Sequence, residues 1–493
     1  MAGRLAAVPE ETTNGFTAPY PPGNLYRDWI RRVASYGRHI RPSLFTRSRR
    51  THSSSLSGYT SDSSHVSNNS GFSSGSASAA ASAGFFGGYE LTEIAHRMVS
   101  DGYAQRMVQE FETGDGAECA LKTWFLELDV DWVLQIREEP QLQEQDKSPS
   151  SLHELAEKWI RALTVIVIAI KELVHGTPAA ARFGKESVAK MLVFIDAVVP
   201  ALKVEKLQAV LNMYVCVSDA SNYMLMTLVI SPEDQSIFNE IGLSLESQGS
   251  RLSEAISTTM EEVRSLMEDE ESWAIEIPRG GGDIHKNTRF MVDCIVSIRE
   301  AWASTQNSAS SQNIVNLRGL MDETIDYLKD LLWRKSEQCS DPSLRYLFLL
   351  NNFHFITQSS VSLDLVKLWC GLTPECKKYM DSYLDASWGD VMSIMPDYPR
   401  PFRRWNNKSS LSKFESAFRK TCQAQKFWKV PDPRLRFSLR KAIVEWVISG
   451  YRRDFLKEQP IIHTGSNHPK EQPKLERSVS YVLEEMLGEL FEG

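Results

Sequence analysis

A few groups of residues in this 493-residue chain have the types that chemistry requires. Gly280-Gly281-Gly282-Asp283-Ile284-His285 places three glycines and a carboxylate just ahead of a histidine. Glycines can bring backbone N–H groups against a phosphate, but a nucleotide cradle of that kind follows a strand and opens a helix. Helical patterns flank this cluster on both sides, so it reads as an inter-helix loop with Asp283 as N-cap of the next helix. Cys370 and Cys376 are the one close cysteine pair, and their five-residue separation fits no common zinc spacing. His354 sits among Phe348, Phe353 and Phe355 and reads as a packing histidine. The carboxylates of Glu138–Glu139 and Glu268–Glu271 read as solvated faces, and no serine occupies a nucleophile elbow. The expectation is a protein that is not an enzyme and holds no metal or cofactor.

The basic residues carry a stronger signal. The chain has a net charge of −8, yet residues 400–477 hold nineteen Lys and Arg against seven acids. An acidic body with one basic end suits an anionic surface met by that end alone. Arg434, Lys441 and Arg452 fall within about 20° of one another on a helix advancing ~100° per residue. With Arg436, Arg440, Arg453, Lys457, Lys470, Lys474 and Arg477 they form the candidate lipid-binding set. Each basic group near a charged bilayer contributes on the order of 1 kcal/mol, so several together give useful binding. Nucleic acid fits less well, because Trp428, Phe437 and Trp446 are interleaved like a helix core and not like a base-stacking platform.

The elements that position these residues are helices. Leu91, Ile94, Ala95 and Met98 follow the three-and-four spacing of one helix face, as do Val188, Met191, Leu192 and Ile195, and later Leu317, Leu320, Met321 and Leu328. Breaks fall at Glu138–Ser151, Gly176–Pro178, Ser231–Pro232, Pro278–Gly282, Ala303–Ser311, Pro396–Pro401 and Gln459–Pro473. The pattern predicts an all-α protein, an elongated rod of stacked antiparallel helical bundles, with helical units over 89–275 and 276–493. The apolar run Ala162–Ile170 falls far short of the ~18 residues that span a bilayer and reads as a buried helix. Seven cysteines, an odd number scattered through helical patterns, and no apolar leader in residues 1–22 point to free thiols in a cytosolic setting. The Asn407-Lys408-Ser409 sequon carries no meaning there.

Residues 1–88 differ in composition and are expected to form a disordered tail, Arg-rich first and then rich in Ser, Gly and Ala. Three readings stay open for it. It could be a solvated tail phosphorylated at Thr51 or Ser53, an organelle transit peptide, or the carrier of a short helix that binds membrane or a partner. Trp29, Ile30, Val33 and Tyr36 have the spacing for such a helix.

Several collinear stretches resemble landmarks of the seventy-kilodalton exocyst subunit family of plant type. They are Leu91-Thr92-Glu93-Ile94-Ala95 with Met98 and Gly102-Tyr103, Glu205-Lys206-Leu207 with Leu211-Asn212-Met213-Tyr214, and Gly281 to Met291 with its His285 and Thr288-Arg289. Lys335-Ser336, Asp341-Pro342, Leu347-Phe348-Leu349-Leu350-Asn351-Asn352 and Tyr383-Leu384 with Ser387-Trp388 come next in order. Phe427-Trp428-Lys429-Val430, Leu435-Arg436, Tyr451-Arg452 and Leu490-Phe491-Glu492-Gly493 complete the series. The resemblance implies a helical rod without cofactor or reaction, in a tether that brings secretory vesicles to the plasma membrane. It also implies cytoplasmic protein at the membrane periphery, with other exocyst subunits, a phosphatidylinositol bisphosphate membrane and a Rho-type small GTPase as partners, and no nucleic acid. Ser480 stands where the family carries a second lysine of its C-terminal basic motif. The family's long N-terminal subunit-joining helix has no visible counterpart here, which leaves open a divergent interaction module acting outside the exocyst, for example in defence-related trafficking.

Overall fold

The computed structural model describes residues 25–33, 89–113, 116–136, 149–175, 179–268, 272–306, 311–360, 372–395, 407–456 and 481–492. Among them the structure is all-α, with one isolated antiparallel bridge between Lys429 and Glu492 as its only extended pairing. The first described helices are α1 (Leu25–Arg32), α2 (Tyr89–Ser100), α3 (Tyr103–Glu112) and α4 (Ala117–Glu127). A central group comprises α5 (Pro149–Leu173), α6 (Ala180–Val198), α7 (Leu207–Leu225) and α8 (Pro232–Glu268). Short α9 (Trp273–Arg279) leads to α10 (Lys286–Thr305), α11 (Ser311–Ser336), α12 (Pro342–Ser360), α13 (Pro374–Met392) and α14 (Asn407–Ala424). The last elements are α15 (Pro433–Ile443), a π turn at Val444–Ile448, α16 (Ser449–Leu456) and α17 (481–488).

Each helix packs chiefly on its near neighbours in sequence, which builds a stack of hairpins. Helix α5 meets α2, α6 and α7, helix α7 pairs with α8, and α10, α11 and α12 lie against one another before α13 and α14. The expected apolar faces are the buried ones, with Leu91, Ile94, Ala95 and Met98 inward on α2 and Val188, Met191, Leu192 and Ile195 inward on α6. Ala162–Ile170 is buried on every side because α5 is surrounded. The division expected near residue 276 falls inside α9, and α7 packs on α10 and α8 on α11 across it. The hairpin α7–α8 is drawn tight by Gly242, where an added Cβ would lie 2.6 Å from the Leu225 side chain, and Ser221 donates to the Gly242 carbonyl at 2.8 Å.

The stretch expected to lie outside the core is interrupted by a helix that joins it. Tyr26 and Ile30 of α1 are buried where it packs on α2, α4 and α5, and Val33 just after it is buried as well. The helix forms as its spacing suggested, and the surface it covers belongs to its own chain. Helix α4 ends in a Schellman turn, with Val130 N–H donating to the Phe125 carbonyl at 2.9 Å and Asp129 in the left-handed region at φ 63°. That turn aims two carboxylates at α1. Glu127 Oε1 accepts from the N–H groups of Tyr26 at 2.8 Å and Arg27 at 3.2 Å, filling vacant donors at the helix start. Asp129 Oδ1 accepts from Arg27 at 2.8 Å and Arg31 at 2.6 Å, and the Tyr26 hydroxyl donates to Asp101 at 2.7 Å. Burial pushes the Asp129 carboxyl up, but the hydrogen bonds from Arg31 and Arg27, with Lys158 nearby, more than offset this and hold it below its ordinary range.

Candidate anionic-surface site and the joint behind it

Helix α15 starts sharply at Asp432-Pro433: Asp432 accepts from Leu435 N–H at 2.7 Å, and Pro433 fills the first turn, where its missing N–H costs nothing. Leu435, Leu439 and Ile443 face the core. Arg434, Arg436, Arg440 and Lys441 therefore turn outward together, with Phe437 exposed among them. The structure thus gathers four of the candidate residues on one helix.

Their charges are not equally available. Arg436 and Arg440 both engage Glu492, the Arg440 contact lying at 2.8 Å, and Arg440 also donates from Nε to the Leu490 carbonyl at 3.1 Å. Arg440 first and Arg436 second hold the Glu492 carboxyl below its ordinary range. Lys441 lies 3.7 Å from Glu445, a loose exposed pair, and Arg452 pairs with Glu484 at 2.5 Å. Arg434 has no ion pair among the described residues and is exposed. The alignment of Arg452 with Arg434 and Lys441 assumed an uninterrupted α-helix. The π turn at Val444–Ile448 inserts a residue between them, which rotates the residues of α16 by roughly 100°. Arg453 lies on α16 with its side chain outside the described residues, and Lys457, Lys470, Lys474, Arg477, Thr51 and Ser53 lie outside them altogether.

Behind α15, the residues that first suggested chemistry form a joint. Gly281 and Gly282 adopt φ of 61° and 81°. At Gly281 an added Cβ would lie 2.5 Å from the Phe427 carbonyl oxygen, so the space a phosphate would need is filled by the chain's own backbone. The Gly281 carbonyl accepts from Lys429 N–H at 2.8 Å. The buried Asn351 amide donates to the carbonyls of Gly282 at 2.7 Å and Lys429 at 2.8 Å. Asn352 accepts from His285 N–H at 3.0 Å and donates to the Phe348 carbonyl at 2.8 Å. Val430 N–H then donates to the Phe491 carbonyl at 3.2 Å. Four sequence landmarks far apart in the chain meet here.

The N-cap of α10 is His285, and the expectation of Asp283 is corrected. The two left-handed glycines carry the loop on to an extended His285, whose Nδ1 accepts from Asn287 N–H at 3.2 Å, while Asp283 Oδ1 accepts from Ile284 N–H at 2.6 Å. His285 stacks on Trp273 at 3.8 Å between centroids, and its Nε2 lies 2.8 Å from Glu276. His354 is half-buried, and burial pulls its imidazole below its ordinary range against the opposing pull of Asp432, 3.5 Å away. Cys376 is buried at the start of α13, with Cys370 outside the described residues. Among the described residues no three His, Cys, Asp or Glu side chains are grouped to hold a metal ion. No described helix is long and apolar enough to cross a membrane.

A stack of helical hairpins closed by such a joint defines an all-α scaffold. Residues 175–474 match the family described as Exo70 exocyst complex subunit, C-terminal, and the chain belongs to that family. Exocyst complex component EXO70A1 of Arabidopsis thaliana is 25% identical over 336 residues, covering 62% of this chain and 50% of that protein. EXO70B2 of the same plant is 24% identical over 411 residues, covering 77% and 65%. Exocyst complex component 7 of Drosophila melanogaster is 28% identical over 178 residues, covering 33% and 25%. The chain thus spans about half to two thirds of the length of the two plant relatives. The crystal structure of the exocyst component Exo70p of S. cerevisiae aligns over 81% of both chains at 12% identity with a TM-score of 0.40.

Proposed function

We propose that this protein is a non-enzymatic tethering subunit that joins other exocyst subunits and meets a phosphoinositide-bearing membrane through its basic C-terminal end, in support of exocytosis at the plasma membrane. The observation that carries the membrane part is the outward row on α15, where Arg434 and Lys441 project to solvent while Leu435, Leu439 and Ile443 fix the helix to the core. A helix anchored in this way presents its cations with no backbone to order at the moment of contact. A Rho-type small GTPase is the further partner this reading includes.

The test is co-sedimentation with vesicles of phosphatidylcholine containing phosphatidylinositol bisphosphate, at low salt. Reversing Arg434 and Lys441 together to glutamate should weaken binding at least tenfold, since each basic group contributes on the order of 1 kcal/mol and reversal adds repulsion. Undiminished binding of that variant refutes the assignment to α15. Recovery of exocyst subunits with the tagged full chain tests the tethering part, and their complete absence refutes it.

A further inference from the structure

Three strongly exposed aliphatic side chains lie close together far in sequence from α15, at the tip of the α7–α8 hairpin. Over Met226–Ile230 the side chains alternate between solvent and interior. Met226, Leu228 and Ile230 are 73%, 85% and 91% exposed, whereas Thr227 is 2% exposed and Val229 packs against the core. Solitary exposed aliphatic residues are ordinary, but three on one side of a five-residue tip are not.

The tip is also held in shape. Gln235 accepts from Val229 N–H at 2.8 Å and donates to the Thr227 carbonyl at 3.1 Å, bracing both sides of Leu228. The Thr227 hydroxyl donates to the Tyr223 carbonyl at 2.6 Å, and Ser231 accepts from Asp234 N–H at 3.4 Å. Below it, the close approach at Gly242 stiffens the hairpin itself. Water gains nothing from this bracing, whereas a partner binding a preformed tip is spared the ordering cost.

Charge decides the partner. No Lys or Arg occurs between Lys206 and Arg251, a span that includes Glu233, Asp234, Glu240 and Glu246. Nearer the tip, Lys171 lies over the Tyr223 ring at 3.8 Å and Lys185 pairs with Glu240 at 2.7 Å, while Arg334 and Lys335 meet Glu268 at the far end of α8. An acidic collar would be repelled by an anionic bilayer and by a second copy of the same tip. We infer that Met226, Leu228 and Ile230 form an anchor for a protein partner whose apolar pocket is rimmed by basic side chains. Resting on the tethering reading above, that partner is another subunit of the tether. Three side chains bury too little area for a whole interface, so the tip acts as the central anchor of a wider contact.

The experiment is quantitative recovery of exocyst subunits with the tagged full chain, comparing wild type with Leu228→Asp/Ile230→Asp and with Glu233→Lys/Asp234→Lys. Leu228, Ile230 and Glu233 are exposed and Asp234 partly so. The charge variant also removes two acids from the first turn of α8, so a small drop in melting temperature is expected there, and the thermal melting of each variant is measured to control for folding. The inference expects at least tenfold loss of at least one subunit with the apolar variant, on the scale of a central interface residue, and a smaller loss with the charge variant. Equal recovery by wild type and both variants overturns the inference and leaves the tethering reading standing. No subunit recovered with wild type overturns that reading and the partner named here with it. Wild-type dimerisation, or binding to phosphatidylcholine vesicles, that the apolar variant abolishes would assign the tip to a second copy or to lipid and equally overturn it.

Discussion

Asp129→Asn is the substitution that tests most directly how α1 is held. The side chain is 3% exposed and accepts from both Arg27 and Arg31 through one oxygen. Asparagine keeps that oxygen, nearly the same volume and a tolerance for the left-handed backbone at φ 63°; it removes the charge and puts an NH2 where Oδ2 faces Lys158 at 3.8 Å. Charge-assisted hydrogen bonds contribute roughly 1.5–3 kcal/mol each, and the loss here sits at the low end because both arginines can be rehydrated and neutral bonds remain. About 1.5–3 kcal/mol in total raises the undocked population of α1 roughly 10- to 150-fold. Hydrogen exchange at the amides of residues 27–33 reads that population directly. Asp131→Asn is the control, since its 3.5 Å contact with Arg27 is partly exposed and of the surface kind, expected to matter by under about 0.5 kcal/mol. The folded Asp129 carboxyl titrates below its ordinary value, so its contribution is complete above about pH 4 and is lost as the pH falls through the folded value. Protection of α1 in the wild type should therefore fade on acidification, and the Asp129→Asn variant should start low and lack that component. Equal protection in both proteins at neutral pH, with Ile30→Ala lowering it, would show that burial alone holds the helix and that the charge argument is wrong.

Other expectations concern the joint and the basic face. Gly281→Ala places a Cβ against the Phe427 carbonyl and forces an unfavourable φ, and should lower stability by about 2–4 kcal/mol in a denaturant titration. Asn351→Ala strands the carbonyls of Gly282 and Lys429 and should cost roughly 2–4 kcal/mol by the same measurement; a loss below about 0.5 kcal/mol would mean water replaces the amide. Glu492→Gln removes the charge that occupies Arg436 and Arg440, and should raise binding to bisphosphoinositide vesicles at low salt, with the increase vanishing in high salt.

The legibility of these features depends on their range in sequence. Leu91, Ile94, Ala95 and Met98 announce a helix face because helical neighbours are three and four residues apart, and the burial of α2 obeys that spacing. The docking of α1 depends on Glu127 and Asp129, about a hundred residues away and pointed at α1 only because α4 ends in a left-handed turn at a non-glycine residue. Trp29, Ile30 and Val33 could reveal the helix but not what it packs against. The face assigned to Arg434, Lys441 and Arg452 failed at Arg452 for a similar reason. Angular arithmetic assumes one uniform helix, and the π turn at Val444–Ile448 carries no plain sequence signal. His285 as a cap was missed because Asp is the commoner N-cap, and nothing local shows that two left-handed glycines extend the loop by two residues.

The joint gives a physical reason why the glycine cluster looked functional and is instead architectural. Catalytic and binding loops concentrate glycine, buried amides and a histidine because backbone must approach something closely. In this chain what approaches is the 427–430 segment, whose carbonyl and N–H groups take the places a ligand's polar atoms would take at Gly281, Gly282 and Asn351. That same segment pairs through Lys429 and Val430 with the last residues, and Glu492 in turn reaches Arg436 and Arg440. The interior joint and the outward cations are thus linked through the chain's C-terminal residues. Displacing Leu490–Glu492 would loosen the joint and free two arginines at once, so stability and membrane charge at this end should change together in any variant that breaks the Val430–Phe491 pairing.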